Sequence, residues 1–316
     1  MTPVATGERP IRIAVDFLGG DSAPSSVADA IAAYIRSRDG VSRLVVVGPE
    51  GAISDALGTR GVDLEAVDIV PAHRAASMID NPIAAVREHA DLTASVAARL
   101  VADGGADGWV SVGHSGAAVA ASVFALGRVP GMPLPALAVV LPALAGPVVL
   151  VDAGASPDVS AEALLTFALA GAAYATCLGH PSPRVGLLSI GSEAGKGDRT
   201  RKSAHDLLTI ALADEGIAYA GLVEGHDVAL GARADVVVTD GFTGNVLLKG
   251  IEGAVRWSAE RMGSAYDSPG PALGVLADVA TSDFAGGLLL GVPGVAVIGH
   301  GGRRSSPAYD SPKGRS

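Results

Sequence analysis

Residues 234–245 read ADVVVTDGFTGN. The run Val236-Val237-Val238 is uninterrupted in hydrophobicity, whereas a strand with one face in water alternates apolar and polar residues. An unbroken run fits a strand covered on both faces, as in a mainly parallel sheet between layers of helices. The polar residues Asp240 to Asn245 then sit where a buried strand hands over to a helix, because helical spacing continues from 244 to about 263. Comparable runs recur at 11–16 (IRIAVD), 43–48 (RLVVVG), 67–70 (VDIV), 108–113 (GWVSVG), 135–142 (PALAVVLP), 147–152 (PVVLVD), 184–191 (RVGLLSIG) and 294–299 (GVAVIG). Helical patterns lie between them at 23–37, 83–103, 115–127, 160–178 and 197–214. That alternation predicts a doubly wound α/β fold. The link ALAG at 143–146 reads as a tight turn between antiparallel strands, so the sheet is expected to be mixed.

The chain has 316 residues, 49% of them hydrophobic but only 4% aromatic, with 42 glycines. Its core must be built from Ala, Val and Leu, with helices packed close on the sheet. A net charge of −10 argues against a nucleic-acid binder. The single cysteine, Cys177, excludes an internal disulfide and fits a reducing compartment. It lies in an apolar helical run and reads as a buried, inert thiol. The start MTPVATGERP lacks the layout of a signal peptide, so a cytoplasmic location is expected. The uncharged stretches 134–151, 163–179 and 284–299 are too short, or too broken by Pro and Gly, to cross a bilayer as helices. The expected organisation is a flexible start (1–10), one α/β domain (11–302) and a disordered Pro/Gly/Ser-rich tail (303–316).

The polar clusters follow the strands, where open α/β sheets bind ligands. Asp16, Gly20 and Asp21 follow the first strand. Gly113, His114, Ser115 and Gly116 follow the run at 108. Asp152 to Asp158 follow the run at 147, Lys196 lies in GSEAGKG (191–197), and Asp240, Thr243, Gly244 and Asn245 close the opening stretch. A Gly-rich turn before a helix leaves backbone N–H groups at the positive end of a dipole, which suits an anion. All five turns are expected on one edge of the sheet, with phosphate between GHSG and DGFTGN. In DGFTGN, Thr243 is expected to cap the helix and leave the Asn245 amide free. GSEAGKG is not a Walker A loop: three residues separate its glycines, and Gly197 stands where Ser or Thr is needed. No dinucleotide fingerprint follows the first strand, and the seven histidines show no zinc spacing, so neither a cofactor nor a metal is expected.

The succession VDFLGGDSAP, DNPIAAVREHADLT, GADGWVSVGHSGA, LPALAVVLPAL, VDAGASPD, RVGLLSIGSEAGKGDRTRKSA, ADVVVTDGFTGNVLLK and GVAVIGHGG resembles the bacterial phosphate acyltransferase family of phospholipid synthesis. The similarity runs from about residue 11 to 302. It implies a three-layer α/β/α fold like that of the isocitrate and isopropylmalate dehydrogenases, a homodimer, and transfer of an acyl group from acyl-(acyl carrier protein) to inorganic phosphate. Coenzyme A is the alternative carrier, and peripheral membrane association is left open. The chain departs from the family at several points. His114 stands where asparagine is usual, and His89-Ala90-Asp91-Leu92-Thr93 replaces Lys-Lys-Asp-Ser-Ser. GASPD keeps Asp158 but loses an asparagine and a lysine, and Ser22 stands in place of histidine.

The chemistry needs a held dianion and a stabilised oxyanion. Lys196 is the candidate for neutralising phosphate or the oxyanion, Asn245 for donating to the oxyanion, and His114 for donating to phosphate or to the leaving thiolate. His300, in GHGG, joins the substrate-binding set. Arg199, Arg201 and Lys202 form a local basic patch that suits an acidic carrier protein, or else a solvated helix face. Two alternatives stand beside the transferase: a relative in a specialised pathway with another acyl group or carrier, and an inactive homologue acting as a binding partner.

Overall fold

The computed structural model describes residues 9–37, 42–77, 81–193, 195–265 and 286–299. The tail 303–316, His300 and the first eight residues lie outside these. The first half runs β1 (Ile11–Asp16), α1 (Ser25–Ser37), β2 (Ser42–Gly48), α2 (Glu50–Gly58), β3 (Val67–Pro71), α3 (Pro82–Glu88), α4 (Thr93–Ala102), β4 (Gly108–Ser111) and α5 (Ser115–Leu126). The second runs β5 (Ala136–Leu141), β6 (Val148–Val151), α6 (Ala161–Cys177), β7 (Arg184–Leu188), α7 (Arg199–Asp214), β8 (Ala218–Val223), α8 (Gly225–Leu230), β9 (Val236–Val238) and α9 (Gly241–Ala265). The strands β10 (Gly286–Leu290) and β11 (Val295–Gly299) then return to the middle. Together they make one mixed sheet in the order β3-β2-β1-β4-β11-β10-β5-β6-β9-β7-β8.

Period-two alternation within buried strands divides the core between the two faces. Ala14, Leu150 and Val237 point to one face, where they pack with Ala97, Ala117, Ala121 and Leu248 of α4, α5 and α9. On the other face, Val149, Val151, Val236 and Val238 meet Leu164, Phe167 and Leu208 of α6 and α7, while Ile13 and Val15 meet the α1 and α2 layer. This is the three-layer arrangement expected. β5 and β6 pair antiparallel across the 143–146 link, as its sequence implied. No helix among the described residues is long and apolar enough to cross a membrane.

Some elements differ from expectation. The helical pattern at 83–103 is two helices, because the Asp91 carbonyl accepts the amides of His73 and Arg74 while Thr93 N donates to Arg74 O, which pulls the chain out of helix. β8 and β10 escaped the reading: β8 begins exposed and carries Gly221 at positive φ, and β10 opens with two glycines. The short helices α2 and α8, absent from the sequence reading, lie in the links of 18 and 12 residues that join β2 to β3 and β8 to β9. Cys177 is exposed rather than buried, since it occupies the outward side of the last turn of α6, whose core face runs through Leu164, Ala168, Ala172 and Ala175.

α9 starts three residues before the expected position, which presses its first turn onto the 152–156 loop. A Cβ on Gly244 would overlap the Asp152 carbonyl oxygen, whereas one on Gly250 meets nothing within 4 Å. Gly250→Ala should therefore stabilise the protein by up to about 1 kcal/mol, the helix-propensity difference. Gly244→Ala should destabilise it by about 1–3 kcal/mol, the range for overpacking. Thermal unfolding of the two variants should show opposite shifts.

Candidate functional site

The sheet topology sorts the candidate residues into two groups. β1, β4 and β11 are neighbours and run parallel. β6, β9 and β7 are also neighbours and parallel. Between the groups, β11–β10, β10–β5 and β5–β6 are all antiparallel. Three reversals leave β9 running opposite to β4, so GHSG and DGFTGN leave the sheet at opposite edges. They stand five strand spacings apart, about 24 Å along the sheet. The expectation of one shared edge is thereby corrected: the reversal at the β5–β6 hairpin turns every later strand of that half around.

At the first edge, Asp16 and Ser111 are buried, and Ser111 Oγ donates to Asp16 Oδ2 at 2.6 Å. The other carboxyl oxygen, Oδ1, is buried without a hydrogen-bond partner among the described residues. Burial pushes the Asp16 carboxyl above its ordinary range, against the opposing pull of the Ser111 hydroxyl. Gly20 turns the chain at φ 112°, and a Cβ there would press on the Val112 carbonyl, while Asp21 points to solvent. His114 is the N-cap of α5: its Nδ1 accepts from Gly116 N at 3.1 Å and Ala117 N at 3.4 Å. An imidazole nitrogen thus does what an asparagine oxygen does at this position. Gly113 N donates to Ser111 Oγ at 3.1 Å. The amides of Gly113 and Gly116 are therefore engaged within the turn and do not form the expected free cradle. The recess beside them, lined by Asp16, Ser111, Gly113, His114 and small residues, measures about 10 Å³, room for roughly one water.

At the second edge the organising residue is Asp152, which follows β6 and is fully buried. Its Oδ1 accepts from the amides of Leu137, Gly154 and Ala155 at 2.8–2.9 Å, and its Oδ2 from Ser156 N at 2.6 Å. Burial raises this carboxyl, and the four amides oppose the rise. The loop so fixed carries α9: Gly241 N donates to Ser156 O, and Asn245 Nδ2 to Ala153 O at 3.3 Å. The Asn245 amide is thus half engaged rather than free. Asp240, not Thr243, is the N-cap; its Oδ1 accepts from Thr243 N at 2.8 Å and its Oδ2 from Thr243 Oγ1 at 2.8 Å. Gly244 N donates to the Asp240 carbonyl in the regular helical way. As in GHSG, the amides of Thr243 and Gly244 are taken.

Lys196 is exposed in the 191–197 loop, its stem lying over Gly191. Arg199 and Lys202 are exposed on the first turn of α7. Arg201, expected beside them on the docking patch, turns inward, and only 12% of its side chain is accessible. Its Nε donates to Leu188 O at 3.2 Å and its Nη1 to Asp198 Oδ2 at 2.6 Å. Its Nη2 donates to Asp240 Oδ2, to Thr243 Oγ1 at 3.1 Å and to Thr239 Oγ1 at 3.2 Å. The reason is position: on α7 it falls on the side facing β7 and β9. Sequence reading placed Asp152 in a polar cluster but missed its role and that of Arg201, although an acid closing an apolar strand before a Gly/Ser turn was a signal for the former. A recess of about 270 Å³ opens here between Pro157, Asp158, Asp198, Arg201, Asp240 and Phe242. Three carboxylates against one paired guanidinium make it unsuited to a dianion. Among the described residues no group of three or more His, Cys, Asp or Glu is arranged to hold a metal ion.

Burial alone would raise the Asp240 carboxyl, but the Thr243 amide and hydroxyl with the Arg201 guanidinium outweigh it and hold the group below its ordinary range. A depressed carboxylate contributes stability above its unfolded pKa, and that stability is lost as pH falls through the folded value. Asp240→Asn keeps a capping side chain but removes the charge. It should destabilise the protein at pH 7 by about 1–3 kcal/mol, the scale of a hydrogen bond to a charged group. The gap from wild type should close as pH falls below about 3.9, as read from urea midpoints across a pH series.

Comparison with known proteins places this geometry in a family. Residues 11–308 match the model of the fatty acid synthesis protein family. The phosphate acyltransferase of Thermobifida fusca is 38% identical over 96% of this chain and 88% of its own. That of Thermus thermophilus is 41% identical over 92% and 89%. Among solved structures, the EutD phosphotransacetylase of Staphylococcus aureus shares the fold at a TM-score of 0.60 and 16% identity, covering 93% of this chain and 89% of that one. A putative 4-hydroxythreonine-4-phosphate dehydrogenase of Salmonella typhimurium does so at 0.51 and 15%, covering 92% and 91%. With a family model spanning nearly its whole length and relatives of this identity end to end, the chain belongs to the phosphate acyltransferase family.

Proposed function

We propose that this chain moves an acyl group from a carrier thioester to inorganic phosphate. A phosphate oxygen attacks the thioester carbonyl, a tetrahedral oxyanion forms, the C–S bond breaks, and the thiolate leaves and takes up a proton. The products are acyl phosphate and free thiol, and the balanced reaction draws on no cofactor. Beyond family membership, one observation carries this reading. The adjacent strands β6, β9 and β7 bring the Lys196 loop and the Asn245 turn to one edge, and Lys196 has no ion pair among the described residues. Because the cap side chains engage the turn amides, neutralisation of phosphate falls to the Lys196 ammonium, a compact charge on a flexible stem. Asn245 keeps one amide hydrogen for the oxyanion. Arg199 and Lys202 receive the donor, an acidic acyl carrier protein in preference to coenzyme A, in the cytoplasm. His114, capping α5 at the far edge, is left outside the chemistry.

The test is thiol release from acyl-carrier and acyl-coenzyme A thioesters in the presence of phosphate. Lys196→Ala should lower the phosphate-dependent rate by about 10²-fold or more, the cost of losing one charge-stabilising donor. Asn245→Ala should lower it comparably and also reduce stability by about 0.5–1.5 kcal/mol, because the bond to Ala153 goes with it. Lys202→Glu should weaken use of the carrier-bound donor and spare the coenzyme A thioester. A wild type that releases no thiol but binds carrier protein tightly would favour an inactive binding partner instead.

The same reading makes the protein a homodimer. Phe242, Val246 and Trp257 are exposed along one stripe of α9, with Gly250 and Gly253 between them, a surface suited to a twin helix. A monomer mass by light scattering at micromolar concentration would remove this proposal.

A further inference from the structure

We propose that Arg201 is a positioning residue that holds the Lys196 loop and the first turn of α9 in register with each other. The inference rests on the assignment of Lys196 and Asn245 to the reaction. Lys196 comes from the turn after β7 and Asn245 from the helix after β9. The guanidinium of Arg201 joins those two turns: it donates to Leu188 O at the end of β7, to Asp198 at the start of α7, and to Thr239, Asp240 and Thr243 at the start of α9. Its stem acts as well. A Cβ on Gly197 would lie 2.9 Å from Arg201 Cβ and 2.9 Å from Ser189 Oγ. The residue directly after Lys196 is therefore pressed flat against Arg201, and the lysine loop stands wherever Arg201 stands. At the other end, Arg201 holds Asp240, the N-cap of the turn that carries Asn245.

This arrangement needs arginine. A planar fork reaches acceptors on three elements at once, while a lysine ammonium presents one point charge that cannot span them. Arg201 therefore acts through other residues and not on the substrate. Buried between Asp198 and Asp240, it is also withdrawn from a docking partner. Its loss should change turnover irrespective of what carries the acyl group, whereas the loss of Arg199 or Lys202 should matter for the protein carrier alone.

The experiment compares wild type, Arg201→Lys and Arg201→Ala on an acyl-carrier thioester and an acyl-coenzyme A thioester, with phosphate titrated. Hydrogen exchange is followed in parallel over residues 239–247. Arg201→Lys should lower kcat about 10- to 10²-fold with both donors, as expected for misplacement of reacting groups by about an ångström. KM for phosphate should stay within about threefold of wild type, since the binding groups remain present. Arg201→Ala should lose more, and millimolar guanidinium should restore part of kcat where ethylammonium does not. Exchange at 239–247 should accelerate in both variants. A loss confined to the carrier-bound donor would overturn the inference in favour of docking. Arg201→Lys with wild-type kcat and wild-type exchange would overturn it outright. If the wild type itself releases no thiol, the acyl-transfer reading fails, and exchange at 239–247 alone decides whether Arg201 holds the turn. If Arg201→Ala does not fold, the split between kcat and KM in Arg201→Lys decides.

Discussion

The second edge of the sheet is built around one buried carboxylate. Asp152 has no solvent contact, and its two oxygens accept four backbone amides, one from the start of β5 and three from its own loop. Burying a charge is costly unless it is fully hydrogen-bonded, and hydrogen bonds to a charged group are the stronger kind. The loop as folded supplies those four donors to one side chain. From this follow the seat of α9 on Ser156 and Ala153, the glycine at 244 where helix and loop backbones meet, and the place of Asp240 at the helix start. Arg201 then ties Asp240 to α7. Removing Asp152 would take the support from under the turn that carries Asn245.

The second constraint is direction. A βαβ chain keeps its strand ends, and hence its ligand turns, on one edge, but a hairpin inserted midway reverses the parallel strands built onto its far side. Here β5–β6 is that hairpin, and it splits the molecule into two half-sheets whose turns face opposite ways. The first half places Asp16, Ser111 and His114 together; the second places Asp158, Arg201 and Asp240 together, with Lys196 and Asn245 on turns of the same edge. Each recess is lined from one group alone. The two clusters therefore need separate physical accounts.

Much of the fold was legible because it depends on local pattern. The valine runs at 43–48, 147–152 and 236–238 are strands, and the turn at 143–146 joins an antiparallel pair, since burial on both faces and tight-turn chemistry both leave their mark on neighbouring residues. β8 and β10 were not legible, because glycine and half-exposure erase the apolar run. The site was legible in part. DGFTGN announced a strand–helix turn, but not that its cap, Asp240, also pairs with a guanidinium 39 positions upstream. Lys196 and Arg201 look alike in the sequence, and burial against Asp240 alone separates an exposed cation from an internal tie. The edge error had a different origin: the hairpin that reverses the sheet was read from ALAG, and its consequence for the later strands follows from counting directions.

Helix starts bear on function here in an unexpected sense. A Gly-rich turn at the positive end of a helix dipole suits an anion when its amides are free, yet each of these turns carries its own acceptor. His114 takes the amides of Gly116 and Ala117, Asp198 that of Arg201, and Asp240 that of Thr243. The two aspartates also place negative charge where the dipole favours it, which stabilises the helices and repels a second anion. A phosphate dianion cannot compete for the same donors without displacing a cap worth about 1 kcal/mol and facing its charge. The backbone therefore fixes the geometry of the edge, and its attraction for an anion has to come from a side chain outside these caps. Lys196, exposed in the 191–197 loop and outside every cap, is the side chain proposed for that part.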